Sequence, residues 1–144
     1  MHGLTKKQTF WVANVALLLL MVASIPLAIW ITHTSSAQLE NAKRRCEGKQ
    51  QNLHTVTIRK GVVTPAHIDA TRCDRLEIIN QDDSPRLIAF GPHDKHISYN
   101  GVSEGLLRHD QKLTLTLGVT GAYPFHDHDD WRVSGIFNVH RPTN

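Results

Sequence analysis

The 144-residue sequence is poor in the signals that mark an enzyme. It has no glycine-rich phosphate loop, no nucleophile elbow around Ser134-Gly135, and no evident partner for the acidic group Asp127, Asp129 and Asp130. Phosphate-cradling and serine-elbow chemistries therefore lack a foundation. Nothing specifies a substrate pocket, so no enzymatic activity is assigned. Charge of one sign is scarce as well. The formal net charge is +3, yet from Gln50 onward 10 Lys and Arg face 11 Asp and Glu. That stretch is nearly neutral and carries no nucleic-acid footprint. Helix signals are almost missing after residue 50, one turn's worth in VSEGLLRH excepted, and cysteine occurs only twice.

What is present begins with an apolar run. Phe10 to Ile31 is 22 residues without a charge, interrupted by Asn14, Ser24 and Pro26. At about 1.5 Å per residue it spans roughly 33 Å, the thickness of a bilayer's hydrocarbon core. Trp11 and Trp30 sit near its ends, where indoles favour the interface. The rival reading is a cleaved signal peptide, with Ser35-Ser36-Ala37 as the cleavage site. Signal h-regions number about 7–15 residues, so the longer run is read as a retained transmembrane anchor over 10–31. Lys6 and Lys7 before the span favour a cytoplasmic tail over 1–9, whereas Lys43, Arg44, Arg45 and Lys49 beyond it argue the other way by count. This second basic group would lie beside the lipid head groups.

Residues 32–51 are polar and aperiodic and read as a stalk; a domain over 52–141 follows. There the pattern turns to short alternating runs. Val56 and Ile58 alternate, as do Leu76 and Ile78, then Leu113, Leu115 and Leu117, then Tyr123 and Phe125; Ile136 and Val139 close the chain. Period-two runs separated by Gly, Pro, Asn and Asp predict an all-β antiparallel sandwich.

Two stretches carry a family resemblance. VVTPAHIDATRCDRLEIINQDDSPRLIAF resembles the opening of the cupredoxins, and GVTGAYPFHDHDDWRVSGIFNV resembles their closing hairpin, Gly-x-Tyr-x-Phe-x-Cys and a ligand loop. The match covers roughly residues 53–140 and implies a cupredoxin-like Greek-key β-sandwich. A blue-copper site needs two His, one Cys and usually one Met. With the closing loop spaced as in amicyanin-like proteins, Asp127 stands in the Cys slot, Asp130 in the second His slot and Val133 in the Met slot, while Arg86 takes the first His slot. All four ligands are replaced, and without a thiolate no blue-copper centre forms. The chain is also similar to bacterial cupredoxin-like proteins with His-x-x-His before a Tyr and His-Asp-His ending the penultimate strand. GPHDKHISY supplies His93 and His96, and FHDHDD supplies His126 and His128. That resemblance implies a divalent metal site, copper foremost, built from imidazoles.

The spacing itself agrees with such a site. His126 and His128 are two apart and project from one side of a strand; His93 and His96 are three apart, so one turn unites their rings. Asp94, Asp127 and Asp129 are interleaved as acceptors for ring N–H groups. One geometric demand stands out. From Arg86 to His93 an extended chain would travel about 23 Å, so Gly91-Pro92 must turn it back. The competing expectation is a salt bridge from Arg86 to Asp127 or Asp130 that closes the vacant slot, with the histidines dispersed. His67 and His109 are read as bystanders and His54 as an ordinary strand residue.

In the cupredoxin strand order Cys46 and Cys73 share the pole opposite the metal loops, which implies a disulfide and disfavours a thiolate ligand. It would contribute roughly 3 kcal/mol and requires an oxidising compartment. The expected arrangement is therefore a cytoplasmic N-terminus and an extracytoplasmic domain that binds copper through histidines, with the bilayer and a metal donor or acceptor as partners. The alternative is a metal-free docking domain.

Overall fold

The computed structural model describes residues 14, 37–38, 40–49 and 51–142. The chain divides into two units, Met1–Ser36 and Ala37–Asn144, and the second is described below. The expected anchor at 10–31 and the tail at 1–9 lie, Asn14 apart, outside the described residues. No helix among the described residues is long and apolar enough to cross a membrane.

Nine strands follow one another: β1 (Leu53–Arg59), β2 (Val62–Thr64), β3 (His67–Thr71), β4 (Arg75–Asn80), β5 (Arg86–Phe90), β6 (Glu104–Leu107), β7 (Lys112–Thr116), β8 (Gly121–Asp127) and β9 (Ser134–His140). They form a four-stranded sheet, β2-β1-β4-β7, and a five-stranded sheet, β3-β9-β8-β5-β6. The alternation seen in the sequence sorts the residues between core and surface. Val56, Ile58, Leu76, Ile78 and Leu115 bury themselves from one sheet, and Ile68, Ile88, Phe90, Phe125, Phe137 and Val139 from the other. Phe137, not Ile136, shares the inner face of β9 with Val139, because period two pairs residues 137 and 139.

Two expectations are corrected. The sandwich is not antiparallel throughout, since β1 pairs parallel with β4 and β3 pairs parallel with β9. In each case the partner lies beyond intervening strands, and a crossover of that length permits parallel pairing. The segment VSEGLLRH is not a helical turn. Glu104–Leu107 forms β6, hydrogen-bonded along β5, so the ladder overrides weak local propensity.

Within the polar stretch 32–51, residues 40–46 are helical and dock on the domain. Ala42 and Cys46 are fully buried there, and Cys46 is joined to Cys73 in the β3–β4 turn with Cα atoms 5.1 Å apart. A side chain at Gly118 would come within 3.0 Å of the Ala42 Cβ, so the helix lies directly on the backbone there.

Candidate metal centre

The segment from Gly91 to Ser103 decides the site. Gly91 has φ +90°, and a Cβ there would come within 2.9 Å of the Lys95 carbonyl oxygen, so glycine alone suits this turn. The chain then reverses: the Lys95 N–H donates to the Pro92 carbonyl and the Ile97 N–H to the Phe90 carbonyl. Tyr99 pins the excursion by inserting into the aromatic core, 4.5 Å from the Tyr123 ring and 5.1 Å from Phe137, with its hydroxyl donating to the Val119 carbonyl. Asn100-Gly101, both at positive φ, complete a tight turn, and the chain enters β6 at Glu104. The return demanded of Gly91-Pro92 is made.

Register places the remaining members. Ala89 of β5 lies opposite Glu104 of β6 on one side and opposite His126 of β8 on the other. Phe125 and Asp127 face inward, so His126 faces outward by the period-two rule, and His128 follows beside Leu87. His93 and His96 fold over this row, above the small and fully buried Ala89. The ring centroids of His93 lie 6.3, 5.4 and 5.7 Å from those of His96, His126 and His128; those of His96 lie 5.1 and 5.0 Å from His126 and His128. An ion held at about 2.0 Å by Nε2 is about 3.1 Å from a ring centre, so four tetrahedral imidazoles place their centroids about 5 Å apart. The cluster has that size. Nitrogen atoms of His93, His96 and His128 lie within 4.8 Å of one another, a group that does not include His126, which joins the cluster through its ring contacts with His93 and His96.

The fit is sharpest in the hydrogen bonding. Among the described residues, two buried side-chain polar atoms have no partner, Nε2 of His96 and Nε2 of His126. Burying such an atom unpaired costs about 1–3 kcal/mol, and both belong to this cluster. His96 Nδ1 donates to Glu104 Oε1 at 2.9 Å, which leaves the lone pair on Nε2. A carboxylate behind a ligating imidazole fixes its tautomer and raises its basicity. Burial lowers the His126 pKa, as do the neighbouring His96, His93 and His128 rings, while a hydrogen bond with the Gly91 backbone acts the other way. A neutral ring with a free Nε2 is the form that binds metal.

On the opposite side of β8, Arg86, Asp82 and Asp127 form a buried group of ion pairs. Arg86 Nη1 donates to Asp127 Oδ2 at 2.9 Å, and Arg86 Nη2 donates to Asp82 Oδ2 at 2.6 Å. Asp127 also accepts from the Leu87 and Asp129 N–H groups, and Asp82 from those of Lys60 and Gly61. The Asp127 hydrogen bond leads in raising the Arg86 pKa. Asp127 is therefore no acceptor for the imidazole cluster. Asp130 pairs with Arg132, not Arg86, at 2.8 Å, and Val133 joins the core. Asp94 and Asp129 are exposed, and among the described residues the carboxylate that meets an imidazole of the cluster is that of Glu104. The salt bridge of one expectation and the converging histidines of the other coexist, on two faces of one strand.

The outer histidines divide. His109 donates to the Asp82 carbonyl near the Arg86 ion pairs, and His54 on β1 pairs with Asp74 at 3.0 Å. His67 lies on β3, away from both.

Comparison with solved structures places the architecture. A reduced amicyanin variant matches with a TM-score of 0.52 at 17% identity, over 66% of this chain and 89% of that one. A purple cupredoxin from Nitrosopumilus maritimus matches with a TM-score of 0.53 at 15% identity, over 60% and 98%. The fold is cupredoxin-like. No family model and no curated protein matches the sequence. At these identities the likeness establishes the fold of the cupredoxin-like domain and leaves its ligands to the residues described above.

Glu104 escaped the sequence reading because it lies eight residues beyond His96 in a segment with weak helical character. Only the β5–β6 ladder brings it beside the cluster.

Proposed function

We propose that this chain is a membrane-tethered, extracytoplasmic cupredoxin-like domain that binds a divalent metal through His93, His96, His126 and His128. Copper is the metal of choice, because imidazole sites follow the Irving–Williams order and favour Cu(II). The observation that carries the reading is the set of ring contacts at 5.0–6.3 Å by which His93 and His96 each meet the other and both His126 and His128, with buried, unpartnered Nε2 atoms on His96 and His126. Nitrogen ligation without a thiolate makes the centre type 2-like, not a blue-copper electron carrier. Its partners are then a metal donor or acceptor, and the bilayer that holds the anchor at 10–31. The apolar run supports the tether, and the Cys46–Cys73 disulfide supports an oxidising compartment.

A metal-free docking domain is the second reading, favoured by the filled Arg86–Asp127 slot. That pair accounts for the lost blue-copper site but leaves the orphaned imidazole nitrogens unexplained. Calorimetry with Cu(II) on the full chain separates the two. His93→Ala and His126→Ala should each weaken binding at least about tenfold, given that ligand loss removes more than the outer partners' 10–100-fold effect. Paramagnetic resonance should show a nitrogen-ligated type 2 signal without intense blue colour. Affinity equal to the parent's in both variants would refute the four-histidine centre, and no Cu(II) binding by the parent would favour the docking reading.

A further inference from the structure

The helix that packs on the domain turns a second face to a cavity. Ala42 and Cys46 form its docked row, and Gln38, Asn41 and Arg45 form the row beside it, at helical spacing. These three, with Arg44, line one wall of a cavity of about 580 Å³. Ser98 and Asn100 line another, at the end of the excursion that carries His93 and His96. Both walls are fixed. The Cys46–Cys73 disulfide and the contact with Gly118 hold the helix. Asn100 Nδ2 donates to the Thr116 carbonyl at 2.7 Å and the Tyr99 hydroxyl to the Val119 carbonyl at 3.1 Å, and these bonds hold the excursion.

The chemistry of the lining is that of an anion site. Among the described residues it offers two guanidiniums, three carboxamides and a hydroxyl, and no carboxylate. Arg45 is shared with a neighbouring cavity of about 140 Å³, which Lys49 and Arg72 also line. None of these four cations makes an ion pair among the described residues. Of the acidic neighbours, Glu40 is taken by Lys43 at 3.1 Å, and Glu47 lies exposed in the turn beyond the helix. Uncompensated positive charge in a concave site attracts an anion. Guanidinium forks suit phosphate oxygens, and amide and hydroxyl donors add to them.

The source of the phosphate follows from the helix's place in the chain. Ala37 comes six residues after Ile31, where the apolar run ends. Fully extended, that segment reaches at most about 21 Å. We propose that the cavity binds the phosphate of an anionic phospholipid head group, which clamps the excursion bearing His93 and His96 to the helix. The lipid source rests on the tether proposed above; the anion chemistry does not.

The test is amide exchange of the full chain in phosphatidylcholine bilayers with and without added phosphatidylglycerol, with vesicle flotation alongside. Phosphatidylglycerol should slow exchange over residues 41–46 and 98–101, and salt should reverse the effect. Each Arg beside an anionic surface is worth about fivefold, so Arg44→Gln, Arg45→Gln should raise the phosphatidylglycerol content required about 25-fold, which removes the response. That variant alters exposed side chains and should keep the parent's melting temperature in phosphatidylcholine. Arg59→Gln, Arg108→Gln removes the same charge from exposed positions outside the cavity and should keep the response. Equal loss in both double variants, or no response in a chain that floats, overturns the proposal. Protection by inorganic phosphate in phosphatidylcholine, with no further gain from phosphatidylglycerol, overturns the lipid source. A chain that floats only with phosphatidylglycerol, and loses this in Arg44→Gln, Arg45→Gln, sinks the tether and sustains the cavity; flotation with neither sinks both.

Discussion

Replacing Arg86 by leucine isolates what its two ion pairs contribute. Arg86 bridges Asp82 and Asp127, whose side chains are 9% and 2% exposed. Removing the guanidinium strands two buried carboxylates, a change that costs about 3–5 kcal/mol when a buried pair loses one partner. Backbone donors remain on both aspartates, from Lys60 and Gly61 and from Leu87 and Asp129, so the lower end applies, about 3 kcal/mol. In a domain of about 100 residues each kcal/mol moves the melting temperature by about 4 °C or more, which gives a drop of at least about 12 °C. Denaturant and thermal unfolding of the full chain measure it. The pH dependence adds a second check. Burial would raise the Asp82 carboxyl, but hydrogen bonds from Gly61, Arg86 and Lys60 outweigh it and hold it below 3.8. A carboxylate depressed by folding stabilises above its unfolded value and loses that contribution as pH falls through its folded value. The advantage of the parent over Arg86→Leu is therefore full above about pH 5 and shrinks in acid. Because Arg86 acts on the inner side of β8, Cu(II) affinity at the outward histidines should stay within about twofold, or about 0.4 kcal/mol. A stability loss under about 1 kcal/mol would refute the structural role of the pair, and a parallel collapse of metal affinity would refute the separation of the two faces.

Two further outcomes follow from the same geometry. Glu104→Ala should weaken Cu(II) binding about 10–100-fold while leaving the melting temperature alone, since it removes the acceptor behind His96; unchanged affinity would mean that Glu104 does not orient the ring. Replacing Cys46 and Cys73 together by serine should cost roughly 3.5 kcal/mol for a loop of 27 residues. Amide exchange over residues 40–46 should rise with it, and a double variant that melts with the parent would show that the disulfide does not hold the helix.

Much of the core was legible because burial follows local alternation. Val56 with Ile58 and Leu76 with Ile78 each mark a strand face that needs no knowledge of its partner. The final strand misled by one residue, since Ile136 and Phe137 are both apolar and only the opposing sheet selects which turns inward. The pairing of β1 with β4 and β3 with β9 was invisible, because parallel ladders join strands distant in sequence.

The four histidines were legible as two pairs, each with a spacing that fits one ion. Their meeting was not. It depends on the turn at Gly91, on Tyr99 anchoring the excursion in the core, and on the register that aligns Glu104, Ala89 and His126 across three strands. The sequence by itself determined which side chains could ligate and which alternate toward the core. Tertiary structure alone decided that Asp127 turns inward to Arg86 while its neighbours His126 and His128 turn outward to His93 and His96. The reason is that a strand offers two faces to two environments, and what occupies each is brought by residues about 30 to 40 positions away.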